Sequence, residues 1–181
     1  LYIYIIYLVI CMKMLIKIII LFYTLVASQV LAHDKKKKSL QSHEHGVGVL
    51  NISQDKNILL FEFEAPGYDI VGFEYEAKND EDKKKIENAL NIFSDHRNII
   101  LPSSSARCKL VDNSSKVINE GKHSEFLISY KFNCENIAKL KIIYIKYFKS
   151  FQNGKKLNVR ILGEKKKSTY VIEKSKKLIN F

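Results

Sequence analysis

The chain has 181 residues, a formal net charge of +11 and three cysteines. That length suffices for one globular domain with a buried core plus a targeting segment, and no linker marks off a second domain. The charge is almost all lysine, with only Arg97, Arg107 and Arg160 as arginine, and the aromatic residues alternate with Ile, Leu and Val as core residues do, so neither a nucleic-acid surface nor a set of base-stacking platforms is expected.

Residues 1–32 are apolar apart from a few positions. Residues 1–11 read as an upstream translation extension, because Leu1 is an odd first residue. Met12, Lys13, Met14 and Lys17 form a short basic region, residues 18–27 an apolar stretch, and Val30-Leu31-Ala32 a small-residue ending. Residues 12–32 are therefore expected to be a signal peptide cleaved before His33. An uncleaved membrane anchor is the alternative that the apolar length permits. Residues 33–42 are polar and lysine-dense, which predicts a flexible tail with nothing to bury. Export leaves Cys108 and Cys134 as the cysteines of the mature chain, and one disulfide is the expectation, against two buried thiols. Its loop of about 25 residues would stabilise the fold by roughly 3.5 kcal/mol in the chain-entropy model.

His43-Glu44-His45-Gly46 opens the ordered part, residues 43–181. The run VGVLNIS predicts a strand, 54–57 a turn, and ILLFEFEAP the returning strand, with Leu59, Phe61, Phe63 and Ala65 inward and Glu62 and Glu64 outward. Asn79 to Asp95 reads as a helix: Asn79 or Asp80 caps it, acids crowd its first turn, and Ile86, Ala89, Leu90 and Phe93 form one stripe. Arg107 to Val111 begins a strand carrying Cys108, and the polar residues 112–122 read as a hairpin loop. His123 to Cys134 follows with the clearest alternation in the chain: Ser124, Phe126, Ile128, Tyr130, Phe132 and Cys134 share one face, and His123, Glu125, Ser129, Lys131 and Asn133 the other. Residues 135–141 suit one or two helical turns, 142–148 a central strand, and 157–162 with 168–172 a last hairpin. The sum is an α+β fold, mainly an antiparallel sheet with one long helix packed on it and a short second helix.

Among phosphate, dinucleotide, metalloprotease and hydrolase motifs, none of the common forms occurs, and an enzyme is not expected. Histidine carries what chemistry remains. His43 and His45 are two apart, which puts both imidazoles on one side of an extended chain, and His123 with Glu125 repeats the arrangement. Imidazole and carboxylate donors at about 2 Å suit zinc, and three or four of these would complete a site if the first strand lay beside the His123 strand. Unrelated surface histidines on the partner-binding face of a metal-free interaction module are the alternative.

His43-Glu44-His45-Gly46, Glu-Phe-Glu-Ala-Pro at 62–66, Val71-Gly72-Phe73-Glu74, Cys108-Lys109-Leu110-Val111, His123-Ser124-Glu125-Phe126 and Tyr130-Lys131-Phe132-Asn133-Cys134 occur in that order. As a set they resemble the ZrgA family of exported bacterial proteins. The resemblance implies a periplasmic zinc-binding accessory that assists components of an ABC-type zinc importer, with membrane contact only through the signal peptide before cleavage. It carries metal-binding roles onto His43, His45 and His123 and a cysteine pair onto Cys108 and Cys134. Two departures limit the capacity to at most one compact site. Residues 112–122 lack the histidine-rich insertion of relatives, and Tyr75 stands where relatives tend to have a histidine.

Overall fold

The computed structural model describes residue 2 and residues 12–17, 44–163 and 167–181. The chain divides into two units, Leu1–Gln41 and Ser42–Phe181. In the first, residue 2 and residues 12–17 are helical; the remainder of the expected extension, signal peptide and tail lies outside the described residues. No helix among the described residues is long and apolar enough to cross a membrane.

The second unit begins with a hairpin of β1 (Val47–Asp55) and β2 (Ile58–Pro66). Alternation dictates its inner face: Leu50 and Ile52 from β1, and Leu59, Phe61, Phe63 and Ala65 from β2, are all buried. Next come a single-turn helix, α1 (Gly67–Val71), and a 15-residue helix, α2 (Asp80–Ser94). Asn79 caps α2 by accepting the Asp82 N–H at 2.8 Å, three acids occupy its first turn, and Ala89 and Phe93 are its buried apolar residues. After β3 (Ile100–Pro102), two long strands, β4 (Cys108–Glu120) and β5 (His123–Cys134), form a second hairpin closed by Gly121 and Lys122, with Gly121 at φ +62°. β6 (Ile142–Ile145), the short helix α3 (Tyr147–Ser150), β7 (Lys156–Leu162), β8 (Lys167–Glu173) and β9 (Leu178–Asn180) complete the chain.

The strands form two sheets, one of six strands in the order β4-β5-β2-β1-β7-β8 and one of three in the order β3-β6-β9. β5 supplies the middle of the core. Phe126, Ile128, Tyr130, Phe132 and Cys134 are buried, and the Tyr130 hydroxyl donates to the Phe93 carbonyl at 2.7 Å, which fastens the end of α2 to the sheet. Each such fully buried ring or aliphatic chain contributes on the order of 1.5–3 kcal/mol. Burial also pushes the Tyr130 hydroxyl pKa far above its ordinary value, so it stays a donor.

The expected α+β fold, a mainly antiparallel sheet with one long helix and a short second one, is corrected. The structure is mostly strand, in two sheets, with several short helices; α2 is of ordinary globular length. The larger sheet is mixed, because β1 pairs in parallel with β7, Val47 opposite Lys156 and Ser53 opposite Leu162. The polar stretch 112–120, expected as loop, is strand. β4 is an edge strand with both faces largely solvated, so it has no apolar alternation to display. The apolar run 142–148 is split, with Ile142–Ile145 at the centre of the small sheet and Tyr147 starting α3.

Candidate metal-binding site

His45 lies in the turn that enters β1, where the Val47 N–H donates to the Glu44 carbonyl at 3.0 Å. Gly46 supplies the left-handed conformation this turn needs, φ +88°. Two consecutive residues of α1 grip the turn. The Tyr68 ring stacks on the His45 imidazole, centroids 4.8 Å apart and planes at 17°, and Asp69 Oδ1 accepts the Gly46 N–H at 2.6 Å. Asp69 is only 1% exposed, and its Oδ2 has no hydrogen-bond partner among the described residues. Burial raises its carboxyl pKa, partly offset by the Gly46 N–H bond.

α1 ends at Gly72, φ +85°, whose N–H donates to the Tyr68 carbonyl at 3.1 Å. The chain then turns through buried Phe73 to Glu74. Tyr75 stacks on Phe73, and its hydroxyl donates to Asp82 Oδ2 at 3.0 Å, which ties this segment to the first turn of α2. Glu74 is thereby held between two histidines from different parts of the chain. Its Oε1 lies 3.0 Å from His45 Nε2 and its Oε2 lies 2.8 Å from His123 Nδ1, at the start of β5. The carboxylate side chain is 13% exposed, while those of His45 and His123 are 56% and 68% exposed, so the cluster is open to solvent from the imidazole side.

β1 and β5 are not neighbours, since β2 lies between them. His45 and His123 nevertheless share one carboxylate, because the segment after α1 brings Glu74 to both. His43 lies outside the described residues. Glu125 is 1% exposed, opposite Pro66 of β2 and Ile118 of β4, where α1 packs against β5. The approach of α1 there is close enough that a Cβ on Gly67 would collide with Ser124 Oγ and the Phe73 carbonyl. Cys108 and Cys134 face each other across β4 and β5 and are joined by a disulfide.

Two imidazoles and a carboxylate are a donor set that suits zinc. Among the described residues no three His, Cys, Asp or Glu side chains are already arranged as a coordination shell. Glu74 stands between the imidazoles at hydrogen-bond distance from each, so a metal ion would enter by replacing these two contacts. Both histidines are visible from their spacing. Glu74 is not: nothing in its local sequence marks a ligand, and only its place in the Gly72-Phe73-Glu74 motif draws attention to it.

A family model described as ZrgA family zinc uptake protein matches residues 42–181 of this chain. No curated protein matches it.

Proposed function

Because the chain belongs to the ZrgA family of zinc uptake proteins, we propose that it is an exported, periplasmic accessory of zinc uptake that binds zinc as cargo and assists an ABC-type importer, without being an enzyme. The observation behind this reading is the convergence of His45 and His123 on Glu74. Neutral imidazoles offer one lone pair each, and the carboxylate offers charge to offset that of the metal. The exposed imidazoles can exchange a hydrogen-bonded carboxylate for a metal with little desolvation, which suits cargo that must also leave. His43 and Glu125 remain candidates for a supporting role.

A second reading, a metal-free interaction module, draws on the lack of a ready coordination shell among the described residues. Calorimetric zinc titration of the wild type beside His45→Ala and His123→Ala separates the two. The zinc reading expects one ion per chain, bound at micromolar affinity or tighter and lost in both variants. It also expects binding to weaken in acid, because a protonated imidazole has no lone pair to offer a metal. Equal binding in all three proteins would favour the interaction module. Export is tested separately, by mass spectrometry of a periplasmic extract, where the chain should begin at His33; an intact chain in the membrane fraction would favour an anchor.

A further inference from the structure

Where β6 runs into α3 and β9 begins, a pocket of about 310 Å³ is lined by Ile145, Lys146, Phe148, Lys149, Lys174 and Lys177. The small sheet fixes its backbone: the Ile145 N–H donates to the Lys177 carbonyl at 2.8 Å, and the Lys146 N–H to the Ile99 carbonyl at 2.8 Å. All four lysines are exposed. Lys174 Nζ donates to the Gln152 carbonyl, and none of the four pairs with a carboxylate among the described residues. Four ammonium groups around one opening, with no acid among its lining residues, repel one another, and an anion relieves that repulsion.

The next residues along the same two strands are apolar and face away from the core. Ile143, Ile145 and Ile179 are buried, so alternation turns Tyr144 and Leu178 outward. These two lie opposite each other, 41% and 37% exposed, and half-buried Leu101 of β3 lies opposite Tyr144 on its other side. An apolar row beside a lysine-lined opening combines the two features that hold a protein at a lipid surface, apolar side chains for the acyl boundary and cations for the phosphates. Tyrosine in particular settles at headgroup level. We propose that this end of the small sheet docks on an anionic phospholipid bilayer, with a lipid phosphate in the lysine pocket and Tyr144 and Leu178 at the boundary between headgroups and acyl chains. A nucleic acid or an acidic peptide would match the lysines but leave the apolar row in water. The docking needs no metal and is independent of the zinc reading. It adds a contact made by the folded domain to the one expected of the signal peptide.

Amine labelling of the full chain, read by mass spectrometry with and without vesicles of phosphatidylglycerol and phosphatidylcholine in equal parts, tests it directly. On the vesicles Lys146, Lys149, Lys174 and Lys177 should be labelled at least about threefold more slowly than in solution, and Lys83 and Lys84 of α2 at an unchanged rate. Protection spread equally over both sets, or none at the pocket lysines, would overturn the docking face. Sedimentation with the same vesicles supplies a second measurement, in which residues 1–32 are common to every protein compared. Lys146→Ala/Lys177→Ala should bind at least about tenfold more weakly than the wild type, and Lys83→Ala/Lys84→Ala, with the same change of net charge, within about threefold of it. Equal losses would mean that net charge alone draws the chain to the membrane. Tyr144→Ser should weaken binding about threefold with the salt dependence of the wild type, and unchanged binding would overturn the apolar row as part of the contact. Equal protection of the pocket lysines by inorganic phosphate alone would make the occupant a free phosphate and overturn the bilayer.

Discussion

The two ends of β5 are built on opposite principles. At Cys134 the strand is buried and covalently tied to Cys108, with Glu135 just beyond it paired to Lys109 at 3.1 Å and Arg107 at 3.6 Å. At His123 it is exposed and held to the rest of the site by one contact to Glu74, itself shared with His45. The same twelve-residue strand therefore carries a fixed end and an exchangeable one. The proposed cargo site needs both. Donors must be delivered by a scaffold that does not move, yet held by contacts weak enough to be replaced.

The largest test of this contrast is at the fixed end. Cys108→Ser should cost about 2–4 kcal/mol of unfolding free energy in urea melts, with zinc affinity changed by less than about twofold because the proposed ligands lie at the other end. A variant of unchanged stability would show that the strands, and not the bond, hold that end. Midway along the strand, Tyr130→Phe removes the donor to the Phe93 carbonyl and leaves that acceptor buried. A loss of about 1–2 kcal/mol is expected, read as a lower melting temperature; no change would mean that α2 is held by its apolar contacts alone.

Glu74→Gln probes the exchangeable end. It should weaken zinc binding at least about tenfold, equivalent to roughly 1.4 kcal/mol, yet change stability by less than about 1 kcal/mol because the imidazole partners are exposed. A large drop in melting temperature without loss of zinc binding would make Glu74 a structural brace. The smallest effect is expected at Asp69→Asn. Because burial raises the carboxyl pKa above its ordinary 3.8, the folded protein holds that proton more tightly than the unfolded chain. This group's contribution to stability therefore falls as pH rises from that ordinary value to the raised one, and then levels off. Asparagine keeps an acceptor for the Gly46 N–H without ionising, so melts between pH 4 and 7 should show the variant losing that decline. A variant with the same pH slope as wild type would mean that Asp69 does not titrate differently on folding.

Legibility from sequence followed the contrast between buried and solvated faces. The hairpin of β1 and β2 and the strand β5 were readable because one face of each is apolar and the other polar. Of β4 only the start, to Val111, was readable, since Asp112 to Glu120 lie along a sheet edge where neither face needs to be apolar. Parallel pairing between β1 and β7 was hidden for another reason. An inward-outward alternation looks the same whichever way the neighbouring strand runs, so Leu50 and Val159 share a core without any sign of their mutual direction. The disulfide was legible from cysteine number and the expected export. At the site, His45 and His123 were singled out by their spacing, but their meeting depends on Glu74, which a one-turn helix and a left-handed Gly72 carry across from a distant part of the chain.

The parallel pair β1–β7 has a further consequence for how the molecule comes into being. β2 can cover one edge of β1 as soon as the hairpin is made, but the other edge waits for residues 156–162, far from β1 in sequence. Such a long closure is slow relative to hairpin formation, and until it occurs β1 presents an unpaired edge to other chains. Completion of the sheet thus waits on a contact distant in sequence, and the turn bearing His45 gains the bonds from the Lys155 and Lys156 N–H groups to the Gly46 carbonyl only with it.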